Sequence, residues 1–480
     1  MNVIGLEVST SAAKSILFSL EEGVIDGHTV RYDSSVSDMS TLVPQGVVAA
    51  AKRAVWELVK KTDRKITAIG LGGVWHSLLL LDAKREPLGP IYTWADVSAG
   101  PSVDAVKQDR DFVLETYRKT GCMVHAIYPL WKYFHLQKTK PELIGQTKHI
   151  SSQIEYLFQE LTGERAVSKC IASGTGFFNI HTLDWDDQLL DFAGLSPDSF
   201  SELKEGPYVG SLRTSVAEEL GLPAGIPVTC GFADGAMNQV GIGGDRPGIM
   251  SFSVGTSAAI RMISATPVIP ETPSTWCYYL YGGKRLVGAA TQGACNCVDW
   301  FLENLPAQVG TYDSLEKLAW GRSIEDAPFF LPFIYGERCP GWQDRRLGSF
   351  RDVKATHSLG DFYLAILEGV LFNVYHCYKL LTEISQEPKE ILISGGIMNS
   401  QLWLQMAADI FGRTLKTTGV KDASTVGAAV VALQAIGRLK AGQGYEPESV
   451  IGTPPPSIKA AVFEQRFQRY LELYAQSSTE

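Results

Sequence analysis

Short apolar runs alternate with longer amphipathic stretches along the first part of the chain. Apolar runs at residues 3–6, 15–18 and 24–30 predict three strands, and residues 66–71 predict a fourth. Between them, residues 44–61 place their apolar side chains on one helical face, which predicts an amphipathic helix. Three strands, a helix and a further strand are typical of the opening of a mixed α/β layer.

The second half of the chain repeats this order of strands and helices. Its predicted strands are 249–252, 261–263, 276–281, 285–290 and 390–394, and its predicted helices are 295–303, 361–384, 400–411, one starting at Gly427, and 463–474. The stretch 361–384 carries an apolar stripe at helical spacing, which is typical of a long core helix. The terminal helix carries an aromatic stripe, so it needs a protein surface to pack against.

One seven-residue run occurs twice, at residues 8–14 (Val-Ser-Thr-Ser-Ala-Ala-Lys) and 254–260 (Val-Gly-Thr-Ser-Ala-Ala-Ile). Each copy lies between two apolar runs, so each predicts a strand, a tight turn and a second strand. Such a turn either only closes a hairpin or directs its N–H groups towards an anion such as a phosphate. The repetition indicates duplication, and two such turns predict a nucleotide in a cleft between two like domains. The phosphate-binding candidates are Ser9, Thr10, Ser11, Lys14, Gly255, Thr256 and Ser257.

An acidic residue lies near the middle of the chain, just before the second copy of this run. Residues 227–236 predict a strand that ends in glycine and a helix that starts near Gly235, with Asp234 between them. A carboxylate in this place either caps the helix or accepts a proton from a substrate hydroxyl group as that group attacks phosphorus. Because both turns flank it in the sequence, we favour the catalytic role for Asp234.

Two loops of the first half carry candidate substrate-binding residues. His76 follows the strand at 66–71, where ligands collect in α/β sheets, and either hydrogen-bonds a polyol or closes a structural turn. Trp94 and Asp96 either bind a sugar, through an aromatic face and a carboxylate, or serve as a core residue and a helix N-cap. The sequence leaves both pairs of alternatives open.

A glycine pair in the second half is the candidate nucleoside site. The buried strand at 390–394 runs directly into Gly395 and Gly396. Two glycines allow a flat ring or a ribose to approach the backbone closely. We therefore expect Gly395, Gly396 and the nearby Asn399 to contact the nucleotide.

Composition narrows the class of protein. The chain is 45% apolar and 20% charged, with a net charge of −9, which is ordinary for a globular protein and gives no support for binding nucleic acid or a membrane. The first residues lack a basic region, and no apolar run reaches the roughly 18 residues of a membrane span, so we expect neither a signal peptide nor a span. The eight cysteines are scattered and do not form a zinc pattern, which favours free thiols in a reducing cytoplasm.

These motifs, taken in order, resemble those of the FGGY carbohydrate kinases, which share a fold group with actin, hexokinase and Hsp70. The resemblance runs over residues 3–435 and includes the stretches 336–342, 348–350, 367–369 and 394–396. It implies an α/β fold of two ribonuclease H-like domains of the actin and hexokinase type, with a cleft between them.

The resemblance also implies cofactors, roles and domain limits. ATP and Mg²⁺ are expected in the cleft, with Asp234 as the catalytic base and Glu7 as the residue that holds the metal. The expected domains are a sugar-binding domain at 1–233, a nucleotide-binding domain at 234–450, and a linker with a terminal helix at 451–480.

Within the family, the sugar loops are most similar to those of gluconokinases, and xylulokinases are second. We therefore expect phosphorylation of gluconate, with xylulose or another family sugar as the alternative. Three positions depart from the family pattern, because Glu7 and Ser9 replace an aspartate and a glycine, and Ser98 stands where arginine is common. These departures leave open a sugar- or nucleotide-binding regulator that has lost catalysis. A homodimer is compatible with the sequence, although the residues do not specify one.

Overall fold

The computed structural model describes residues 1–306, 310–440 and 445–477. Its strands are β1 (Asn2–Val8), β2 (Ala12–Ser19), β3 (Gly23–Arg31), β4 (Thr41–Leu42), β5 (Ile66–Gly73), β6 (Leu79–Leu81), β7 (Ile91–Tyr92), β8 (His149–Ser151), β9 (Ala166–Ser168), β10 (Phe178–Asn179), β11 (Asp184–Trp185), β12 (Glu202–Lys204), β13 (Val209–Ser211), β14 (Pro227–Thr229), β15 (Phe232–Ala233), β16 (Ile249–Val254), β17 (Ala258–Ser264), β18 (Trp276–Tyr279), β19 (Arg285–Thr291), β20 (Phe329–Leu331), β21 (Ser349–Arg351), β22 (Glu390–Gly395), β23 (Lys416–Thr417) and β24 (Val450–Ile451). Its helices are α1 (Pro44–Val59), α2 (Gly100–Val106), α3 (Arg110–Thr120), α4 (Pro129–Thr139), α5 (Pro141–Gln146), α6 (Gln153–Thr162), α7 (Lys169–Ser173), α8 (Asp187–Ala193), α9 (Thr214–Leu220), α10 (Asp234–Gly241), α11 (Cys295–Glu303), α12 (Tyr312–Ala319), α13 (Leu359–Ile384), α14 (Gln401–Phe411), α15 (Ala423–Ala435) and α16 (Ala460–Gln476).

The first sheet brings the ends of three strands to one edge. Its order is β13-β14-β5-β1-β2-β3, with β15 also beside β5. Strands β1 and β2 form the predicted antiparallel hairpin, whereas β5 runs parallel to both β1 and β15. Val8 and Ala233 are both aligned with Gly73, so the segments that follow β1, β5 and β15 all start at the same edge.

The second sheet repeats the centre of the first. Its order is β18-β19-β17-β16-β22-β23-β24, and β16 and β17 form the second predicted hairpin. Strand β22 runs parallel to β16, with Val254 aligned with Gly395. The set β2-β1-β5 therefore corresponds to β17-β16-β22, which confirms the predicted fold class of two like α/β units.

Helix α15 follows the central strands of the second sheet in the chain but packs against β1, β5 and α10 of the first half. The approach is close enough to exclude side chains. A Cβ atom added to Gly70 would lie 1.8 Å from the carbonyl oxygen of Ala428, and one added to Gly5 would lie 2.2 Å from that of Thr425. Glycine at both strand positions is what allows the helix backbone to lie directly on the sheet.

The prediction that a helix starts at Gly427 was wrong. Helix α15 begins four residues earlier, at Ala423, after Asp422 turns the chain with a φ of 55°. Gly427 is instead a contact point, because a Cβ atom there would lie 1.9 Å from the carbonyl oxygen of Met237 in α10. A glycine inside a helix was mistaken for a boundary when its role is close helix–helix packing.

The predicted domain limits are unaltered by these contacts and stay a prediction. Helices α10 and α15 belong to the predicted nucleotide-binding domain by sequence position, but both pack on strands of the first sheet, so packing does not fix the limit. Residues 478–480 of the predicted terminal segment lie outside the described residues.

The predicted terminal helix α16 packs on α13 and α14 through its aromatic stripe. Phe467 and Tyr470 are buried, with their ring centroids 5.4 and 5.5 Å from that of Phe372 in α13. Arg466 of the same helix donates two hydrogen bonds of 2.6 Å to Glu368 of α13, whose side chain is buried. The stripe therefore has the partner surface that the sequence required.

Helix α13 is long and apolar enough to cross a membrane by length and composition. Most of it is buried inside the protein, as expected for the core helix that the sequence predicted. Each of the eight cysteines is a free thiol, and all but Cys295 are buried.

We expect Gly70→Ala to lower the free energy of unfolding by about 3 kcal/mol, because its Cβ atom would displace α15 from the sheet. Gly145→Ala is the matched control, since a Cβ atom at this exposed helical position meets no atom within 4 Å. Urea unfolding of both variants, followed by circular dichroism, checks the difference. Equal midpoints for Gly70→Ala and the wild type would contradict the role given to α15.

Candidate active site

The turn of the first hairpin is closed by one of its own side chains. The Ser9 N–H donates to the Ala12 carbonyl group at 2.9 Å. The Ser9 hydroxyl oxygen in turn accepts hydrogen bonds from the N–H groups of Ser11, at 3.2 Å, and Ala12, at 3.0 Å. The N–H groups of Ser11 and Ala12, which a phosphate would use, are therefore already occupied. Thr10 of this turn is buried.

The hairpin strands are tied to the start of α15. The Thr425 hydroxyl group donates to a carboxylate oxygen of Glu7 at 2.9 Å, and the Lys14 ammonium lies 2.6 Å from a carboxylate oxygen of Asp422. Lys14 also lines a cavity of about 610 Å³, and the described residues of its lining do not include Asp234. The structure thus directs Lys14 towards Asp422 and this cavity, away from the catalytic candidate.

Asp234 is the first residue of α10, and Ala233 is the N-cap, so the side chain does not have the alternative N-cap role. One carboxylate oxygen accepts the N–H of Gly235 at 2.6 Å. Burial and then the negative charge of Glu7 raise the pKa of Asp234 to about 6, against the opposing effects of the Gly235 N–H and of Arg261. The carboxyl group remains part-exposed, so it is open to a substrate.

His76 follows β5 with a φ of 59°, and its Nδ1 lies 2.6 Å from the carbonyl oxygen of Gly174. Burial lowers the pKa of His76 to about 3, so the ring is neutral. Because a carbonyl oxygen only accepts, Nδ1 donates and Nε2 is left as an acceptor. The ring lies 4.8 Å from that of Tyr128 and 5.5 Å from that of Tyr278. The structure therefore supports both alternatives, a structural bond through Nδ1 and a free acceptor for a hydroxyl group.

Asp96 is held by a buried lysine that the sequence did not single out. Lys132 donates to the carbonyl oxygen of Asp96, and its ammonium lies 3.4 Å from the carboxylate. Burial lowers the pKa of Lys132 to about 8. The other Asp96 carboxylate oxygen accepts the N–H of Ser98 at 3.1 Å, and α2 begins only at Gly100, so Asp96 is not its N-cap. Trp94 is part-exposed beside this group.

The second hairpin turn is more open than the first. The Gly255 N–H donates to the Ser257 carbonyl group at 2.9 Å, and a Cβ atom at Gly255 would meet nothing closer than 3.9 Å. The N–H groups of Cys295 and Asn296 donate to the carbonyl oxygens of Gly255, at 2.9 Å, and Thr256, at 3.3 Å. The start of α11 thus fixes the turn, while the exposed side chains of Thr256 and Ser257 point away from the core.

The glycine pair lies directly beside this turn. Gly395 has a φ of 95°, and a Cβ atom there would lie 2.2 Å from the carbonyl oxygen of Val254. A Cβ atom at Gly396 would lie 2.9 Å from the sulfur of Cys295. Packing within the protein therefore requires these glycines, independently of any ligand, and both are exposed together with Asn399.

The two halves meet at Asp234, because a Cβ atom at the next residue, Gly235, would lie 3.3 Å from Nε of Arg261 in the second sheet, while Glu7 of the first sheet raises the Asp234 pKa. Within the described part of the chain, no group of three or more His, Cys, Asp or Glu side chains is arranged to hold a metal. A single carboxylate nevertheless suits Mg²⁺, which is usually held by one or two carboxylates together with substrate phosphates. Glu7 fits this requirement.

Sequence reasoning missed two charged residues of this region, Lys132 and Arg261. Both had a usable signal, because Lys132 interrupts an aromatic run and Arg261 interrupts the apolar run of β17. A charge inside an apolar segment is seldom buried without a partner or a ligand.

Comparison with known proteins gives relatives along nearly the whole chain. Gluconokinase of Bacillus subtilis (strain 168) is 28% identical over 452 residues, which is 91% of this chain and 88% of that protein. Crystal structures of a gluconate kinase and of a ligand-bound xylulose kinase from Lactobacillus acidophilus each match with a TM-score of 0.94 and 27% identity. Each match covers 99% of this chain and 98% of the other.

The family itself is identified over both halves. Residues 2–241 match the N-terminal domain of the FGGY family of carbohydrate kinases, and residues 250–436 match its C-terminal domain. The chain therefore belongs to the FGGY family of carbohydrate kinases.

Proposed function

We propose that this carbohydrate kinase transfers the γ-phosphoryl group of ATP to a hydroxyl group of a sugar acid, with gluconate as the first candidate. The observation that carries the proposal is Asp234, a part-exposed carboxyl group with a pKa raised to about 6, at the point where the two halves meet. Phosphoryl transfer depends on positioning and on neutralising charge, and a base near its optimal pKa assists the attacking hydroxyl group.

In this mechanism the Asp234 carboxylate accepts the proton of the substrate hydroxyl group while the hydroxyl oxygen attacks the γ-phosphorus. The bond from the γ-phosphorus to the β,γ-bridging oxygen breaks, and ADP leaves. Glu7, held by Thr425, would bind Mg²⁺ together with the nucleotide. When bound, the metal neutralises charge on the phosphate oxygens. Asp234 thus acts at the hydroxyl group, and Glu7 acts at the nucleotide.

The phosphate contacts are assigned mainly to the second turn. Gly255, Thr256 and Ser257 offer an open turn, whereas the first turn must release the Ser9 hydroxyl group before Ser11 can donate its N–H to a phosphate. Thr10 and Lys14 complete the predicted set. The nucleoside is assigned to Gly395, Gly396 and Asn399, which border the same edge of the second sheet.

The sugar is assigned to the loops after β5 and β7. His76 offers Nε2 as an acceptor, Trp94 offers an aromatic face, and the Asp96–Lys132 pair offers polar groups of both charges. The similarity to gluconokinase of Bacillus subtilis supports gluconate. The xylulose kinase structure from Lactobacillus acidophilus matches this chain as well as the gluconate kinase structure from the same organism does. This supports xylulose as the second candidate.

The proposal is tested with a substrate panel. The protein is incubated with ATP, Mg²⁺ and, in turn, gluconate, xylulose, ribulose and glycerol, and ADP release is measured. We expect the highest kcat/KM with gluconate. ADP release that stays at background for every sugar would contradict the kinase proposal and favour a regulator that binds without catalysis.

Asp234→Asn should lower kcat by about 10²- to 10⁴-fold, because the amide cannot accept the proton. The same change should raise the thermal midpoint at pH 8. A carboxyl group whose folded-state pKa is raised destabilises the fold once it ionises, and the amide does not ionise. Scanning calorimetry checks folding alongside the assay. A variant with near wild-type turnover would rule out Asp234 as the base.

The activity should depend on pH through the same group. Because Asp234 must be ionised to act as a base, kcat/KM should be constant above about pH 7 and fall towards tenfold per pH unit below its pKa of about 6. Initial rates between about pH 4.5 and 8.5 at constant ionic strength measure this acidic fall of kcat/KM. An acidic limb centred near the ordinary aspartate pKa would contradict the raised value.

A further inference from the structure

A pair of tyrosine hydroxyl groups joins the two halves beside the candidate sugar site, and the mechanism above assigns it no role. Tyr128 immediately precedes α4 in the first half, and Tyr278 lies on β18 of the second sheet. Their hydroxyl oxygens are 2.8 Å apart, which is a hydrogen-bonding distance. Both side chains are buried, with exposed fractions of 0% and 1%. Each hydroxyl group therefore has the other as its partner.

Strand β18 carries Tyr278 into the first half. It is the edge strand of the second sheet. On one side of Tyr278, the Cys277 N–H donates to the Gly121 carbonyl oxygen at 3.1 Å. On the other side, the Tyr279 N–H donates to the Ser173 hydroxyl oxygen at 2.9 Å. Backbone hydrogen bonds on both sides thus hold Tyr278 against the first half.

The ring of His76 packs against both tyrosines. Its centroid lies 4.8 Å from that of Tyr128, with 77° between the ring planes, and 5.5 Å from that of Tyr278, with 62°. Both are edge-to-face contacts. The hydrogen bond from Nδ1 to the Gly174 carbonyl oxygen fixes one atom of the His76 ring but not its tilt. The two tyrosine rings remove that freedom, so they set the direction in which Nε2 is presented.

The hydroxyl pair fixes the two tyrosine rings relative to each other. A hydrogen bond is directional, and the loss of one partner leaves the other hydroxyl group unsatisfied in an apolar environment. Burial raises the pKa of both hydroxyl groups well above the ordinary tyrosine value, so both keep their protons and the bond persists when the enzyme is assayed. Two rings from different halves are therefore held in one arrangement around His76.

The neighbouring Tyr279 provides a comparison on the same strand. Its hydroxyl group also joins the halves, because it donates to Glu205 of the first half at 2.8 Å. Successive side chains of a strand point to opposite faces, so Tyr279 points away from the face on which Tyr278 meets His76. The two tyrosines therefore separate a role at His76 from a general role in joining the halves.

We propose that the Tyr128–Tyr278 hydroxyl pair positions His76 for the sugar, so that a side chain of the second half sets the geometry of the sugar site in the first. The inference rests on the proposed function, because His76 is assigned to the sugar there. Both tyrosines are positioning residues, since they act through His76 and touch no substrate. The Nε2 atom meets a sugar hydroxyl group only while the ring keeps its tilt.

The single variants Tyr128→Phe and Tyr278→Phe each leave one buried hydroxyl group without its partner. Each should lower the thermal midpoint and raise KM for the sugar by about tenfold, as expected for the loss of one hydrogen bond. Because the effect is on sugar binding, kcat should change by less than about twofold and KM for ATP should stay constant. Initial rates are measured with gluconate, or with xylulose where that sugar gives the higher kcat/KM.

The double variant Tyr128→Phe/Tyr278→Phe separates positioning from stability. Replacing both partners by apolar groups of the same shape leaves no unsatisfied hydroxyl group, so the thermal midpoint should return to about the wild-type value. The pair is still absent, so KM for the sugar should stay raised. A KM that recovers together with the thermal midpoint, or that is unchanged in all three variants, would overturn the proposal.

Tyr279→Phe is the matched control, since it removes a hydroxyl contact between the halves that does not reach His76. It should leave KM for the sugar unchanged. A rise equal to that in Tyr278→Phe would assign the effect to general docking of the halves and would overturn the role of the pair.

Failure of the proposed function is distinguished by a measurement that needs no substrate. NMR of the full chain with isotope-labelled histidine reports each imidazole, and the His76→Asn variant identifies the signals of His76. We expect these signals to shift in Tyr278→Phe and to stay unchanged in Tyr279→Phe, because ring-current shifts depend on where the tyrosine rings lie. Unchanged signals in both variants would overturn the positioning role. Shifted signals in a protein that phosphorylates no sugar would support that role and contradict only the kinase proposal.

Discussion

The arrangement of the two halves depends on the direct contact between α15 and the first sheet. Gly5 and Gly70 remove the side chains that would otherwise separate the helix from the strands, and Gly427 does the same towards α10. The start of this helix also supplies Thr425 to Glu7 and Asp422 to Lys14. A helix encoded late in the chain thereby fixes residues of the first hairpin, so the geometry of the site is set by packing between the halves.

The chemistry of the site follows from charges that the fold leaves incompletely compensated. Asp234 is placed where burial and Glu7 both oppose its ionisation, and Arg261 only partly offsets them. His76 is kept neutral by burial in a cluster of aromatic rings. A region with a poised carboxyl group and a neutral acceptor is less stable than an apolar core of the same size, and this is common where binding and catalysis occur.

Sequence patterns were sufficient for most of the strands and helices around the site. The repeated run predicted both hairpins, and the apolar stripe predicted α13, because these elements carry strong periodic signals. Helices α3, α6 and α12 were not predicted, because stretches of 11, 10 and 8 residues repeat the helical pattern only two or three times. Contacts between distant segments were also beyond the sequence: the Lys132–Asp96 pair and the Thr425–Glu7 hydrogen bond join residues 36 and 418 positions apart, which only the fold brings together.

The ion pair between Glu368 and Arg466 has a consequence for how the second half folds. The two residues are 98 positions apart, and the carboxylate is buried in the long helix at the centre of that half. Until the arginine has been synthesised, burying α13 would place an uncompensated carboxylate in an apolar environment, and burial does raise the pKa of Glu368. We therefore expect this half to consolidate only after α16 has been synthesised, since contacts of such large sequence separation slow folding. Until then, apolar surface of α13 would stay exposed in the growing chain.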